Sequence, residues 1–146
     1  MKTKPRLPNL RLFLLLTVWA SAFFPLQAQE SMPPKLDSLQ RLLLSATDPE
    51  ERTKILNGIS FQYIEIDVGK TLEYGQMALA LAKEHGFTAQ IGSACNHIAT
   101  YYLYASNTEQ AISYYEQSLQ YFQQAGEQKG EGGVLGNLGI LYYSMG

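Results

Sequence analysis

The chain repeats itself at a period of forty residues. Two groups of three residues recur at that spacing: Ile98, Ala99 and Tyr102 as Leu138, Gly139 and Tyr142, and Ala78, Leu79 and Gly86 as Ser118, Leu119 and Gly126. A period of this size indicates a supersecondary unit that buries its apolar face only by stacking on its neighbours. The sequence therefore predicts a repeat array, and such arrays present extended concave surfaces that bind partners.

Helical periodicity and capping residues divide the chain into helices. A stripe of four leucines predicts a first amphipathic helix that caps the array: Leu36, Leu39, Leu42 and Leu43. Asp48 before Pro49 predicts a helix start, because Asp accepts hydrogen bonds from free N–H groups and Pro needs no donor there. Further helices are expected from about Asp67 to His85, from Thr88 to Ala105 and from Thr108 to Ala125, with C-caps at Gly86 and Gly126. No long stretch alternates with period two, so we predict an all-α fold.

The second repeat carries a family resemblance. A large residue, a small residue and an aromatic three positions further on stand at Ile98, Ala99 and Tyr102, and small residues such as Ala111 and Ser118 follow where paired helices touch. This pattern resembles the tetratricopeptide repeat (TPR), and the forty-residue period resembles its longer-helix version. The resemblance covers about residues 48 to 146 and implies a right-handed α-solenoid of helix-turn-helix units.

We expect five segments along the chain. They are a signal peptide (1–28), a linker and capping helix (29–47), a first repeat (48–86), a second repeat (87–126) and the first helix of an incomplete third repeat (127–146). The position in the second repeat that corresponds to Gly146 precedes a further helix, so we expect the array to be truncated in its third repeat and to continue in a longer polypeptide. The alternative is a short capping helix at a natural C-terminus.

The N-terminus has the organisation of an export signal. Four basic residues precede or adjoin an apolar run at positions 12 to 24, and we predict cleavage after Ala28, with Ala22 as the alternative. The run is shorter than the ~20 residues that span a bilayer, which favours a cleaved signal over a permanent anchor. We therefore expect a periplasmic or extracellular protein that meets a membrane only through segments beyond Gly146 or an uncleaved signal.

The charge distribution argues against a nucleic-acid partner. Loss of the signal would remove four of the eleven Lys and Arg residues and none of the thirteen Asp and Glu residues, which leaves a formal charge of −6. The remaining basic residues are scattered singly, whereas a nucleic-acid surface needs them clustered. We predict no nucleic-acid binding.

Catalytic, metal and cofactor sites are also not expected. Cys95 and His97 lie two positions apart on one helix, so their side chains point about 200° apart and cannot easily bind one metal ion. The glycines from Gly130 to Gly139 do not form a dinucleotide fingerprint, because Leu135 stands at a required glycine. We expect Gly139 instead to lie where two helices approach closely. With no nucleophile, base or metal set in place, we predict no enzyme within these residues and no cofactor.

Candidate binding residues follow from the resemblance. In the family the first helix of each unit lines a concave groove, and the matching pairs here are Asn57 and Phe61, Asn96 and Thr100, and Gly136 and Ile140. An amide side chain both donates and accepts hydrogen bonds, so the two asparagines could hold the main chain of a protein or peptide ligand. The alternative is that these residues are solvated or pack between helices.

The combination of export signal, leucine-rich cap and repeats resembles the N-terminal sensing region of bacterial envelope signalling proteins, in particular TPR-containing sensor histidine kinases. Their membrane helix and kinase would lie beyond Gly146. The alternative is a free-standing secreted or periplasmic adaptor or assembly factor with no signalling output. The downstream reading frame separates the two: a transmembrane stretch and a histidine-bearing helix favour the sensor, and further repeats before a stop favour the adaptor.

Overall fold

The structure, a computed structural model, describes residues 32–146. The predicted signal peptide and both predicted cleavage positions lie outside the described residues. Pro33–Gly146 is one unit of six α-helices with no strand among the residues described. The helices are α1 Pro34–Ser45, α2 Pro49–Tyr63, α3 Val68–His85, α4 Thr88–Tyr104, α5 Thr108–Ala125 and α6 Gln128–Met145. The prediction of an all-α fold is confirmed.

The helix ends have local causes. Asp48 and Asp67 cap α2 and α3, because each carboxylate accepts hydrogen bonds from main-chain N–H groups of the first turn. Asn107 caps α5 in the same way. Gly86 and Gly126 follow α3 and α5 with φ angles of 72° and 69°, a left-handed conformation that glycine adopts without steric cost. Because these residues end one helix and begin the next within a few positions, the connections between helices are short.

Helices pack mainly on their neighbours along the chain. Each helix contacts the next, and α4 also contacts α2 and α6, whereas the main chains of α3 and α5 stay apart. Contacts between alternate helices therefore occur only among α2, α4 and α6, and we call the side of the stack formed by these three helices its inner side. Within residues 32–146 no helix is both long enough and apolar enough to cross a bilayer.

The apolar core is divided along the stack. Clusters of buried side chains surround Leu36 between α1 and α2, Leu56 among α2, α3 and α4, Ala82 between α3 and α4, and Tyr115 among α4, α5 and α6. Each of these residues is at most 2% exposed. A core of this kind is typical of arrays in which each unit contacts only its neighbours.

One face of α6 is uncovered by the described residues. Leu135 and Tyr142 are 53% and 49% exposed, whereas Cys95 and Ala99, forty residues before Leu135 and Gly139, are fully buried. A Cβ atom built on Gly139 would meet no described atom within 4 Å. The prediction that Gly139 lies at a close approach of two helices is therefore wrong for the described residues, because no described helix packs there.

Candidate binding surface

Two open clefts lie side by side on the inner side of the stack. One, of about 290 Å³, is lined by Asn57 of α2 and Gln90 of α4 among others. The second, of about 350 Å³, is lined by residues of α2, α4, α5 and α6. Ser93, Phe122 and Glu127 line both, so the clefts form one continuous surface. We call it the inner cleft, with an Asn57 part and a His97 part.

Asn57 is held by the neighbouring helix. Its side chain is 7% exposed, and its Nδ2 donates a hydrogen bond to the main-chain oxygen of Gln90 at 3.1 Å. A carbonyl oxygen only accepts, so this bond settles which way the amide points. The Oδ1 atom of Asn57 is enclosed and has no hydrogen-bond partner among the described residues. Asn57 therefore lines the inner cleft and carries an unused acceptor that is itself closed off from solvent.

His97 occupies the equivalent place in the second part of the cleft. It is 8% exposed, and its Nδ1 atom has no hydrogen-bond partner within the described part of the chain. Burial lowers the pKa of His97 to about 4, because a charged imidazolium would lose its hydration. Its ring lies 6.0 Å from that of Phe61, tilted by 47°. At neutral pH the residue is thus an uncharged imidazole with one unused nitrogen.

Asn96 and Thr100 are engaged in contacts between helices. The half-buried Asn96 lines the His97 part of the cleft, and its Oδ1 accepts a hydrogen bond from Asn137 Nδ2 at 3.1 Å. The Thr100 hydroxyl donates to the main-chain oxygen of Asn96 at 3.0 Å and lies 3.2 Å from the Tyr115 hydroxyl. Thr100 therefore ties α4 to α5 and does not line either part of the inner cleft.

The remaining predicted residues lie apart from each other. Phe61 is 56% exposed and forms a wall of the His97 part of the cleft. Ile140 is 69% exposed and lines neither part. The structure thus brings Asn57, Phe61 and Asn96 together on the inner cleft and leaves Thr100 and Ile140 outside it.

Two residues that line the cleft are not predicted by the sequence pattern. They are His97, which the sequence offers only as a possible metal ligand, and Phe122. A Cβ atom on Gly130 would lie 2.5 Å from Phe122 Cδ1, so this glycine makes room for the Phe122 ring. Gly133 also lines the cleft. The three-residue spacing of Gly130 and Gly133 places both on one helix face and is a signal for an α6 wall without side chains.

Charges of both signs surround the cleft. Glu50 Oε1 contacts Lys54 Nζ at 2.7 Å and accepts a hydrogen bond from Gln90 Nε2 at 3.3 Å. The hydrogen bond to Glu50 is the main reason that the pKa of Lys54 is raised. Glu127 and Lys129 line the His97 part. The cleft therefore has no dominant charge that would select an ion.

Metal-ligating and nucleophilic groups are not assembled in the described region. Among residues 32–146 no three His, Cys, Asp or Glu side chains are placed to hold a metal ion. Cys95 is fully buried, and burial raises the pKa of its thiol to about 11. A thiol with such a pKa is protonated at neutral pH and is a poor nucleophile.

Comparison with known proteins agrees with the fold. No family model matches the chain, and no curated protein matches it. The chain is similar to the crystal structure of BtubC (BKLC) from P. vanneervenii, with a TM-score of 0.63 and 25% sequence identity. The similarity covers 73% of this chain and 46% of the BtubC chain, so the chain spans less than half the length of that protein. The likeness supports an all-helical fold.

Proposed function

We propose that residues 48–146 form a TPR array whose inner cleft binds an extended peptide segment of a partner protein. Two features support the repeat assignment. The helices α3 and α5 begin forty residues apart, as do α4 and α6. The helices pack in sequence, with α2, α4 and α6 on the inner side. A right-handed solenoid is the arrangement that the TPR resemblance implies for such pairs.

The unused polar atoms of Asn57 and His97 carry the proposal of peptide binding. Buried polar atoms nearly always have hydrogen-bond partners. Each buried polar atom that lacks one lowers the stability of the fold by roughly 1–3 kcal/mol. Two such atoms occur in side chains that line one continuous cleft. An extended peptide presents main-chain N–H and C=O groups at regular intervals. A bound peptide would give both atoms partners after small movements of the cleft walls.

The chemistry of the cleft suits reversible binding. It offers three side-chain amides, one uncharged imidazole and the rings of Phe61 and Phe122. Ligand sites are commonly apolar clefts with a few placed polar groups, and 350 Å³ is near the lower end of their size range of about 300–1,000 Å³. This size fits one or two side chains of a peptide better than a large cofactor.

We further propose that the array works outside the cytoplasm, as the sensing region of a sensor histidine kinase. The support for this role is the signal-like N-terminus and the family resemblance of the sequence. The adaptor role stays the alternative, and the downstream reading frame is the test that separates them.

Peptide binding can be tested by selecting random phage-displayed peptides on the purified chain. Selected peptides are then titrated against Gly133→Leu, whose side chain would occupy the cleft, and Gly132→Leu as the matched control. Both glycines have open space at the Cβ position among the described atoms, but only Gly133 lines the cleft. We expect at least a tenfold loss of affinity for Gly133→Leu alone. Equal affinity for both variants would place the binding site elsewhere.

A further inference from the structure

The side of α6 that faces away from the array is apolar. The buried residues of this helix, Val134, Leu138 and Leu141, lie in one cluster with residues of α4 and α5. The other side carries exposed large side chains: Leu135, Ile140, Tyr142 and Tyr143. Positions 132–146 contain no charged residue. Monomeric proteins rarely expose a continuous apolar surface larger than a few hundred Å², so this side of α6 has the composition of an interface.

Three glycines and one tyrosine form a line along the middle of this surface. Gly132, Gly136, Gly139 and Tyr143 are spaced by four, three and four residues, which places them on one side of a helix. A Cβ atom on any of the three glycines would meet no described atom within 4 Å, whereas Tyr143 is 89% exposed. The line is therefore a shallow groove with a large projecting ring near its end. We call this line and the four large residues the α6 face.

A second copy of the same line, turned end to end, is complementary to it. In a two-fold interface, a contact of one residue with a second residue of the other copy is accompanied by the reverse contact. Antiparallel pairing of two α6 helices places each Tyr143 ring over Gly132 of the other copy and brings Gly136 opposite Gly139. Helix axes can approach closely where such small residues meet. Because the α6 face carries no charge, this pairing opposes no like charges.

The area of the α6 face suits a weak dimer. From the exposed fractions of its four large residues, full cover would remove on the order of 600 Å² per copy from water, against about 800 Å² per partner in a standard stable interface. We propose that two copies of this chain associate reversibly through the α6 face. None of its residues lines either part of the inner cleft, so this inference does not depend on the proposed peptide binding.

The exposed leucines of α1 are a less suitable partner for the α6 face. Leu42 and Leu44 are exposed, but α1 contains no glycine that could receive the Tyr143 ring. Pairing of α6 with α1 would also leave a free α6 face and a free α1 on every assembly, so that copies would add without limit. Pairing of α6 with α6 closes at two copies.

The test is sedimentation-velocity ultracentrifugation of the purified chain from low micromolar to near-millimolar concentration. We expect the average mass to rise from that of one copy to that of two copies and to rise no further. At low micromolar concentration the chain should be a monomer whose α6 face is uncovered.

Charged substitutions at Gly136 make the test specific, since this residue lies near the proposed two-fold axis and its Cβ position is open among the described atoms. Gly136→Glu and Gly136→Lys each bring like charges together and should each weaken association at least tenfold. An equimolar mixture of the two variants should restore association, because opposite charges then meet. Gln76→Glu, at an exposed position of α3, adds the same charge elsewhere and should associate like the unaltered chain.

Circular dichroism checks that each variant is folded. Tyr143→Ala removes an exposed ring and should also weaken association, so it keeps the inference testable if the Gly136 variants do not fold. Four results would overturn the inference. They are the mass of one copy at every concentration, which would leave the α6 face to a different occupant; masses beyond two copies, which would indicate pairing of α6 with α1; unchanged association of Gly136→Glu; and a mixture of the two Gly136 variants that stays monomeric.

Discussion

The side-chain amides of Asn96 and Asn137 are joined by a hydrogen bond of 3.1 Å, donated by Asn137 Nδ2 to Asn96 Oδ1. This contact links α4 to α6, and few other contacts join these two helices directly. Asn96 also lines the inner cleft, whereas Asn137 does not. The pair therefore allows a structural role of Asn96 to be separated from a role in binding.

We predict that Asn96→Ala and Asn137→Ala each lower the free energy of unfolding by about 1 kcal/mol, since each removes the same hydrogen bond. The double variant should cost less than the sum of the two, which denaturant unfolding can measure. If Asn96 also contacts a peptide, Asn96→Ala alone should weaken the binding of selected peptides. Additive losses of stability would show that the amide pair does not form in solution.

A second prediction concerns the contact between α4 and α5. Ala99 and Ala111 are fully buried in one cluster with Tyr115. Replacing either alanine with leucine should overpack this cluster and destabilise the chain by about 1–3 kcal/mol. Ala125→Leu, at the exposed end of α5, is the control and should be nearly neutral. Thermal unfolding measures the stability of the three variants. Unchanged stability on replacement of both buried alanines would contradict this packing.

Local signals allowed the helices to be predicted from sequence. Asp48, Asp67 and Gly86 act through hydrogen bonds or backbone conformation within a few residues, so their effect is visible in the chain itself. The binding surface was predicted only in part. Asn57 and Asn96 were found because the repeat register places them on one side of the array.

The rest of the binding surface depends on packing between helices. His97 is buried, and its Nδ1 atom lacks a hydrogen-bond partner, because of the way α2 and α6 pack beside α4. No local sequence pattern specifies that packing. The fit of the Phe122 ring against Gly130 is likewise a contact between residues of two helices. The sequence marks Gly130 as a weak helix residue but does not say what fills the space beside it.

The glycines of α6 provide a third prediction. Gly132→Ala should stabilise the chain by about 1 kcal/mol, because alanine favours helix and the added Cβ meets no described atom within 4 Å. Gly130→Ala should fail to stabilise it or should destabilise it, since the added Cβ would lie 2.5 Å from Phe122 Cδ1. Denaturant unfolding of both variants provides the measurement. Equal gains would mean that the Phe122 ring does not sit against α6.

Hydrogen exchange should show a gradient along the array. We predict that the amides of Gly130–Gly146 are less protected than those of residues 88–125, because one face of α6 is uncovered by described residues and glycines weaken the helix. Mass-spectrometric exchange of the purified chain measures this directly. Protection of α6 equal to that of α4 and α5 would indicate that another segment or a second copy covers its exposed face.

The last prediction is a loss of stability in mild acid. His97 has a pKa of about 4 in the folded chain against an ordinary value of 6.5, so between these values the unfolded chain binds a proton that the folded chain does not. Stability should therefore be complete above about pH 6.5 and fall as the pH drops towards 4, by on the order of 3 kcal/mol.

His97→Gln should remove this pH-dependent loss, because glutamine does not titrate. His85→Gln, at an exposed histidine at the end of α3, is the matched control for the substitution itself. The measurement is the free energy of unfolding in urea at several pH values from 7.5 to about 4. A slope that survives in His97→Gln would assign the acid sensitivity to other groups and would show that His97 is solvated in the folded chain, which would also remove its unused nitrogen from the inner cleft.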